Sequence, residues 1–195
     1  YLYDLSVDSD GDGTPNWRDP DRPSPDPARR RLVSHVSNQK RPSISGRRIV
    51  WVDNRSGGDD IYLYDLDLDQ EFPLCTQAAV QEAPDISAQY VVWTDYRSGN
   101  GDIYLYDLSL DSDGDGTPNW RESPRPSPDP AEQNLTPDAA RQAHCHIDGR
   151  LVVWEDDRFS GAGGTDIVLY DLAAKTLTPI IKDPWKQANP DISEG

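Results

Sequence analysis

The chain has 195 residues and carries 35 Asp and Glu against 19 Lys and Arg, for a formal net charge of −16. That excess argues against nucleic acid as a partner, because phosphates need a basic surface; it is explained by a solvated face or by oxygen ligands for hard cations. The longest apolar runs are a few residues, far below the ~20 of a membrane helix, so no membrane insertion is expected.

There is no methionine, and the chain opens inside what reads as a strand, as expected of a processed or truncated polypeptide. The opening words, Tyr1-Leu2-Tyr3-Asp4-Leu5, return as Ile61-Tyr62-Leu63-Tyr64-Asp65-Leu66, as Ile103-Tyr104-Leu105-Tyr106-Asp107-Leu108 and as Ile167-Val168-Leu169-Tyr170-Asp171-Leu172. A second element precedes the last three: Ile49-Val50-Trp51-Val52-Asp53-Asn54-Arg55, Val91-Val92-Trp93-Thr94-Asp95-Tyr96-Arg97 and Val152-Val153-Trp154-Glu155-Asp156-Asp157-Arg158. A third lies before that one, at residues 41–46, 83–87, 146–149 and 189–193, with Gln39, Gln81, Gln142 and Gln187 upstream.

Each element is rich in Val, Ile, Tyr and Trp and bounded by Gly, Asp, Asn and Ser, the signature of a short strand. A weaker fourth strand is predicted over 31–36, 71–75, 132–136 and 176–180. Ile103 and Leu105 point to one face of their strand and Tyr104 and Tyr106 to the other. A strand apolar on both faces is covered on both, as in stacked sheets. Arg97-Ser98-Gly99-Asn100-Gly101-Asp102 reads as a tight hairpin turn. The last hairpin carries three extra residues around Gly161-Ala162-Gly163-Gly164.

Where uninterrupted, the repeat is 42 residues long, from Ile61 to Ile103. Four strands per ~42 residues, repeated, predict an all-β fold: a β-propeller of four-stranded antiparallel blades, about four of them in a single domain over 1–195. Two repeats exceed the 42-residue period by 19 residues once the last hairpin's three are set aside, and the extra length falls in the segments 8–27 and 111–130. The insertions fall between third and fourth strands, which places them on the outer rim.

The insertions begin Asp8-Ser9-Asp10-Gly11-Asp12-Gly13-Thr14-Pro15-Asn16-Trp17-Arg18-Asp19 and Asp111-Ser112-Asp113-Gly114-Asp115-Gly116-Thr117-Pro118-Asn119-Trp120-Arg121-Glu122. Numbered as twelve-residue loops, they place carboxylates at positions 1, 3 and 5, Gly at 6, Asn at 9 and an acid at 12, which is the EF-hand ligand template. Ca²⁺ takes 6–8 oxygens, and alternate residues of a tightly wound loop turn theirs inward. Two Ca²⁺ sites are therefore expected. Asp8, Asp10, Asp12 and Asp19 would ligate in the first, with Thr14 through its carbonyl and Asn16 directly or through water. Asp111, Asp113, Asp115 and Glu122 would do so in the second, with Thr117 and Asn119. The Pro-rich runs that follow, Arg22-Pro23-Ser24-Pro25-Asp26-Pro27 and Arg125-Pro126-Ser127-Pro128-Asp129-Pro130, favour stiff polyproline II and read either as spacers or as a contact surface for a neighbour.

The order Pro-Asp-Ile-Ser, Val-Val-Trp-x-Asp-x-Arg, Asp-Ile-Tyr-Leu-Tyr-Asp-Leu resembles TolB-type propeller repeats over nearly the whole chain outside the insertions. The resemblance implies a toroid of six or seven blades and says little about chemistry. No amphipathic helix flanks the acidic loops, and Pro15 and Pro118 replace the aliphatic residue usual in EF-hands. The loops look more like those of thrombospondin type 3 repeats and dockerins, which implies structural, extracellular calcium.

Other candidates read as structural. His144-Cys145-His146 offers two imidazoles on one strand face but no third ligand. Cys75 and Cys145 permit one disulfide without demanding it. The Asp-x-Arg pairs Asp53–Arg55, Asp95–Arg97 and Asp156–Arg158 recur with the repeat, as do Asp60, Asp102 and Asp166. Features present in every copy are expected to hold hairpins by charge-assisted bonds, since catalysis usually breaks a repeat's symmetry. No enzyme activity is expected. Asn54-Arg55-Ser56 and Asn134-Leu135-Thr136 are sequons in form only.

Joining the ends would leave a fourth blade without its tryptophan strand, to be completed by a longer chain or by another copy. The expected role is structural: a secreted or cell-surface, calcium-stabilised propeller that self-associates or binds other surface proteins. The alternatives are a protein- or glycan-binding propeller module and a non-catalytic fragment of a propeller enzyme.

Overall fold

The computed structural model describes residues 1–159, 164–181 and 186–193; three of the four residues of the expected Gly161–Gly164 expansion lie outside them. The chain divides into two compact units, Tyr1–Val36 and Ser37–Gly195.

The first unit pairs β1 (Leu2–Tyr3) with β2 (Arg29–Arg30) antiparallel, Leu2 opposite Arg30 and Tyr3 opposite Arg29. The weak strand expected over 31–36 thus begins two residues earlier and is shorter. The reason is an anchor just ahead of it: the Asp4 amide donates to the Ala28 carbonyl at 2.9 Å, which fixes the register as the insertion ends.

The second unit contains three four-stranded antiparallel sheets. Blade A is β3 (Gln39–Ser45), β4 (Arg48–Asp53), β5 (Asp60–Asp65) and β6 (Gln70–Cys75). Blade B is β7 (Gln81–Ser87), β8 (Tyr90–Asp95), β9 (Asp102–Asp107) and β10 (Glu132–Asn134). Blade C is β11 (Gln142–Asp148), β12 (Leu151–Asp156), β13 (Asp166–Asp171) and β14 (Thr176–Ile181). Within each sheet the strands lie in sequence order. The second insertion runs from β9 to β10, between third and fourth strands as its spacing predicts.

Two irregularities recur. The innermost strands bulge at the same place, between Lys40 and Ser43, Glu82 and Asp85, and Ala143 and His146. Arg41, Ala83 and His144 sit there at φ of 52°, 51° and 53°, a left-handed conformation that needs support from its surroundings in non-glycine residues. Asn189 repeats it at φ 54°. Residues 189–193 nonetheless form no strand, because no tryptophan strand lies beside them among the described residues. The outer strands bulge at Pro73–Leu74 and Pro179–Ile180. Proline lacks the amide a ladder needs, and an outer strand at a bulge is where it is tolerated.

The core lies between blades. Val50, Val52, Ile61 and Leu63 of blade A meet Val91, Trp93 and Tyr106 of blade B in one buried cluster. Val92, Ile103 and Leu105 of blade B meet Cys145, Ile147, Val152, Trp154 and Val168 of blade C in another. The two faces of β9 therefore serve different neighbours, which is why the strand is apolar on both. At the inner rim, side chains rather than a backbone ladder join the blades. Ser43 Oγ donates to Asp85 at 2.6 Å, the Ile147 amide to Asp85 at 3.0 Å, and the Gly149 amide to Ser87 Oγ at 2.9 Å.

Candidate metal centres

Each acidic loop is closed at its base by an asparagine. In the second unit the Asn119 amide donates to the Leu110 carbonyl at 2.9 Å. Its side-chain oxygen accepts from the Ser112 amide at 2.9 Å, and its side-chain nitrogen donates to Asp129 at 2.8 Å. Asp129 in turn accepts from the Tyr106 hydroxyl, which ties the loop to β9. In the first unit Asn16, Ser9, Asp26 and Tyr3 repeat the arrangement. In the Pro-rich runs, Ser24–Pro25 and Ser127–Pro128 are cis, and Asp26 and Asp129 at their ends make these contacts.

Above that base the carboxylates converge. One oxygen from each of Asp8, Asp10 and Asp12 lies within 4.8 Å of the others, and Asp111, Asp113 and Asp115 do the same. Asp111 accepts from the amides of Gly114 at 2.7 Å and Gly116 at 2.8 Å, and Asp8 from Gly11 at 2.8 Å and Gly13 at 2.9 Å. Gly116 and Gly13 reach this geometry at φ of 92° and 90°, where a side chain is strained.

The electrostatics are those of crowded anions. Amide bonds, from Gly116 above all, hold the Asp111 carboxyl below the usual carboxylate range, and Gly13 and Gly11 do so for Asp8. The Asp12 amide pulls Asp10 down, but desolvation and the charges of Asp12 and Asp19 push it up overall. Glu122 is pushed up by desolvation and by Asp113, Asp115 and Asp111, and its Oε1 is buried without a hydrogen-bond partner. An oxygen cluster that repels itself, with one buried oxygen unused, fits a hard divalent cation.

Not every expected ligand joins the cluster in the same way. Asp19 is buried, accepts from the Asp21 amide at 2.8 Å and acts on Asp10 through its charge. Thr14 and Thr117 donate their amides to Asp12 and Asp115 at 2.6 and 2.7 Å. The side-chain oxygens of Asn16 and Asn119 accept from the Ser9 and Ser112 amides and their nitrogens donate to Asp26 and Asp129, which closes each loop.

The second insertion also grips blade A. Trp120, 1% exposed, stands edge-on to Phe72 of β6 with ring centroids 4.9 Å apart and donates Nε1 to the Leu108 carbonyl at 2.9 Å. Arg125 donates to the carbonyls of Leu74, at 2.8 Å, and Pro73, and Arg121 lies 3.4 Å from Asp65. The same residues, Trp17 and Arg22, stand in the first insertion, where Trp17 is 43% exposed. Reasoning from spacing alone missed Trp120, Arg125 and Asp129. The signal was present: tryptophan, arginine and the Asp of Ser-Pro-Asp-Pro recur in both insertions though no cation ligand template requires them.

No family model and no curated protein matches the chain. Among solved structures, a putative TolB from Agrobacterium tumefaciens aligns with a TM-score of 0.53 and 18% identity, over 77% of this chain and 51% of that one. TolB from Acinetobacter baumannii aligns with a TM-score of 0.54 and 16% identity, over 77% of this chain and 34% of that one. The fold is that of a TolB-like β-propeller. A structure from work on two prolyl endopeptidases aligns with a TM-score of 0.51 and 14% identity, over 79% of this chain and 20% of its own. The chain thus spans about half the length of one TolB and about a third of the other, and at these identities the likeness is one of fold alone.

Within this propeller the repeated Trp-x-Asp-x-Arg run forms a local knot, and its arginines Arg55, Arg97 and Arg158 also bond Glu71, Glu132 and Asp138. Trp51, Trp93 and Trp154 donate Nε1 to Asp53, Asp95 and Asp156 at 3.2, 3.0 and 2.8 Å. Each aspartate also accepts from the amide and the guanidinium of the arginine two residues on. Arg55 and Arg97 lie over Tyr62 and Tyr104, 4.4 and 4.2 Å from the ring centroids. Burial works against ionisation of Asp53 and Asp156, yet these donors hold both carboxyls below the usual range. On the far side of two turns, Asp60 and Asp102 accept from Ser56 and Ser98.

His144 and His146 pair with different carboxylates. His144 Nδ1 lies 2.9 Å from Glu155, and His146 Nδ1 lies 3.3 Å from Asp85. Both line a depression of about 350 Å³ with Arg41, Asp85 and Asn189. Cys75 and Cys145 are free, buried thiols in separate clusters. Of the two sequons, Asn134 already donates to Asp102 at 3.0 Å and accepts from the Thr136 amide at 2.8 Å.

Proposed function

We propose that this chain is a calcium-stabilised propeller module of a secreted or cell-surface protein, with a structural role in assembly rather than catalysis. The observation that carries the reading is the pair of acidic loops, each gathering three carboxylates within 4.8 Å, with a buried and unpartnered Glu122 oxygen at the end of the second, under the influence of their charges. Ca²⁺ would be held by Asp111, Asp113, Asp115 and Glu122 in one loop, and by Asp8, Asp10 and Asp12 with Asp19 in the other. Bound there, it would neutralise the repulsion among these groups. In the second loop it would also stiffen the segment that carries Trp120 onto blade A. Extracellular millimolar calcium suits sites of this kind, whose affinity is set by ligand charge and loop rigidity.

The non-catalytic part of the reading rests on symmetry. The buried Asp–Arg pairs recur in all three blades and are consumed by hairpin contacts. Self-association, other surface proteins and glycans are the partners such a module would serve.

Isothermal titration with Ca²⁺, after chelation, tests the proposal. Two sites are expected, with one lost in Asp113→Asn and the other in Asp10→Asn. Saturation at ~100 times the dissociation constant would stabilise the fold by about 2.7 kcal/mol per site if the unfolded chain binds none. Absence of heat and of any thermal shift at 10 mM Ca²⁺ would refute the calcium reading.

A further inference from the structure

The two insertions share a grip, and in only one of them is it filled within its own unit. In the second, Trp120 and Arg125 close over the outer strand β6, covering Phe72 and Leu74 and taking the carbonyls of Pro73 and Leu74. Trp120 is 1% exposed and Leu74 2%. In the first, Trp17 is 43% exposed with the Arg18 guanidinium 4.3 Å from its ring centroid, and Arg22, which donates to the Asn16 carbonyl at 3.4 Å and lies 3.7 Å from Asp26, lines a groove with Pro23, Ser24 and Pro25. Elsewhere in the chain stands an outer strand of matching register. In β14, Thr178, Pro179 and Ile181 face Leu169, Val168 and Ile167, as Phe72, Pro73 and Cys75 face Leu63, Tyr62 and Ile61 in blade A. Ile180 takes the place of Leu74 in the same bulge, but it is 53% exposed.

We infer that the Trp17–Arg22 face is a docking surface for the outer edge of a propeller blade, and that its occupant is β14 of a second copy of this chain. Trp17 seats on the Thr178–Ile180 bulge, and Arg22 takes the carbonyls of Pro179 and Ile180, as Arg125 takes those of Pro73 and Leu74. Trp17 and Ile180 are exposed where their counterparts Trp120 and Leu74 are buried, while Thr178 stands where blade A has Phe72. The bulge leaves two outward carbonyls together, which suits a guanidinium fork better than an ammonium. Because donor and acceptor faces differ, the contact is heterologous and propagates head to tail unless it closes into a ring. The inference rests on the assembly role proposed above and names its contact.

Sedimentation of the full chain in 2 mM Ca²⁺, from about 1 to 200 μM, reads the outcome. A mass that grows with concentration beyond the 21.8 kDa of one chain is expected. Trp17→Ser and Ile180→Asp should each weaken association roughly 10- to 100-fold, as expected for losing about 100 Å² of apolar burial, and the double variant should add little. A Trp17→Cys/Ile180→Cys variant, oxidised, should give a ladder of cross-linked chains; Cys75 and Cys145 are buried and stay out of it. A single species of one chain's mass at every concentration overturns the inference, as does a cross-link formed only within one chain. Calcium titration of Ile180→Asp separates the two proposals. Calcium binding with a monomeric parent sinks the docking surface alone, while association without calcium binding sinks the calcium reading.

Discussion

Replacing Trp120 by alanine removes the side chain through which the second insertion holds blade A. A buried indole hides about 200 Å², worth ~5 kcal/mol at about 25 cal/mol per Å². Partial collapse around the gap brings measured costs of such substitutions to about 3–5 kcal/mol, and the lost bond to the Leu108 carbonyl adds about 1 kcal/mol. A loss of ~4 kcal/mol is expected, or a fall in Tm of about 8–16 °C for a unit of this size. Trp17→Ala is the internal control, since its loop has nearly the same sequence but leaves the indole 43% exposed; about 1–2 kcal/mol is expected. Calorimetry of both variants in excess calcium decides. Equal losses would refute the reasoning, because the tryptophan would then serve its own loop and not the neighbouring blade.

Other consequences are as direct. Arg97→Met strands the Asp95 carboxylate, which is fully buried, and should cost about 3–5 kcal/mol in urea unfolding. Gly101→Ala would put a Cβ 2.4 Å from the Gln142 carbonyl, forcing blades B and C apart at a cost of about 1–3 kcal/mol, again by urea unfolding. The Asp85 hydrogen bond raises the His146 pKa, so its contribution is full below about pH 6.5 and is lost as pH rises through the folded value; His146→Gln should flatten that slope. Asp53 and Asp156 act oppositely. Their lowered pKa values stabilise above about pH 4 and the contribution fades as pH falls, which acid titration of Tm would show. Burial pushes the Cys75 thiol up to about 12 and raises Cys145 as well. Both should resist a thiol reagent at pH 8 until denaturant is added; rapid labelling of the folded chain would contradict their burial.

The strands were legible because each one is copied. A run such as Ile61–Leu66 is ambiguous once, but four spaced copies, three of them with a tryptophan strand ahead, leave few folds. The strand expected over 31–36 is less legible than the rest, because the Asp4–Ala28 anchor that places it spans the insertion. The acidic triads were readable because ligand spacing is local. The loop-closing bonds of Asn16 and Asn119 were not, since a cation template says nothing of the contacts they make to Asp26 and Asp129 ten residues away. Trp17 and Trp120 show where local reasoning stops: the residues around them are nearly identical, and Phe72, which packs on the buried ring, comes from another blade.

The inner rim has a consequence of another kind. Adjacent innermost strands are joined by Ser43, Asp85 and Ser87 through single hydrogen bonds, and every backbone ladder ends within its own blade. A gene that duplicates or deletes one 42-residue unit therefore interrupts no sheet. It has only to restore a few serine–aspartate contacts and two apolar faces that are already alike. Blade number in such a chain can drift by whole repeats, while insertions of the kind at 8–27 and 111–130 can be gained at the outer edge of any blade without disturbing the stack.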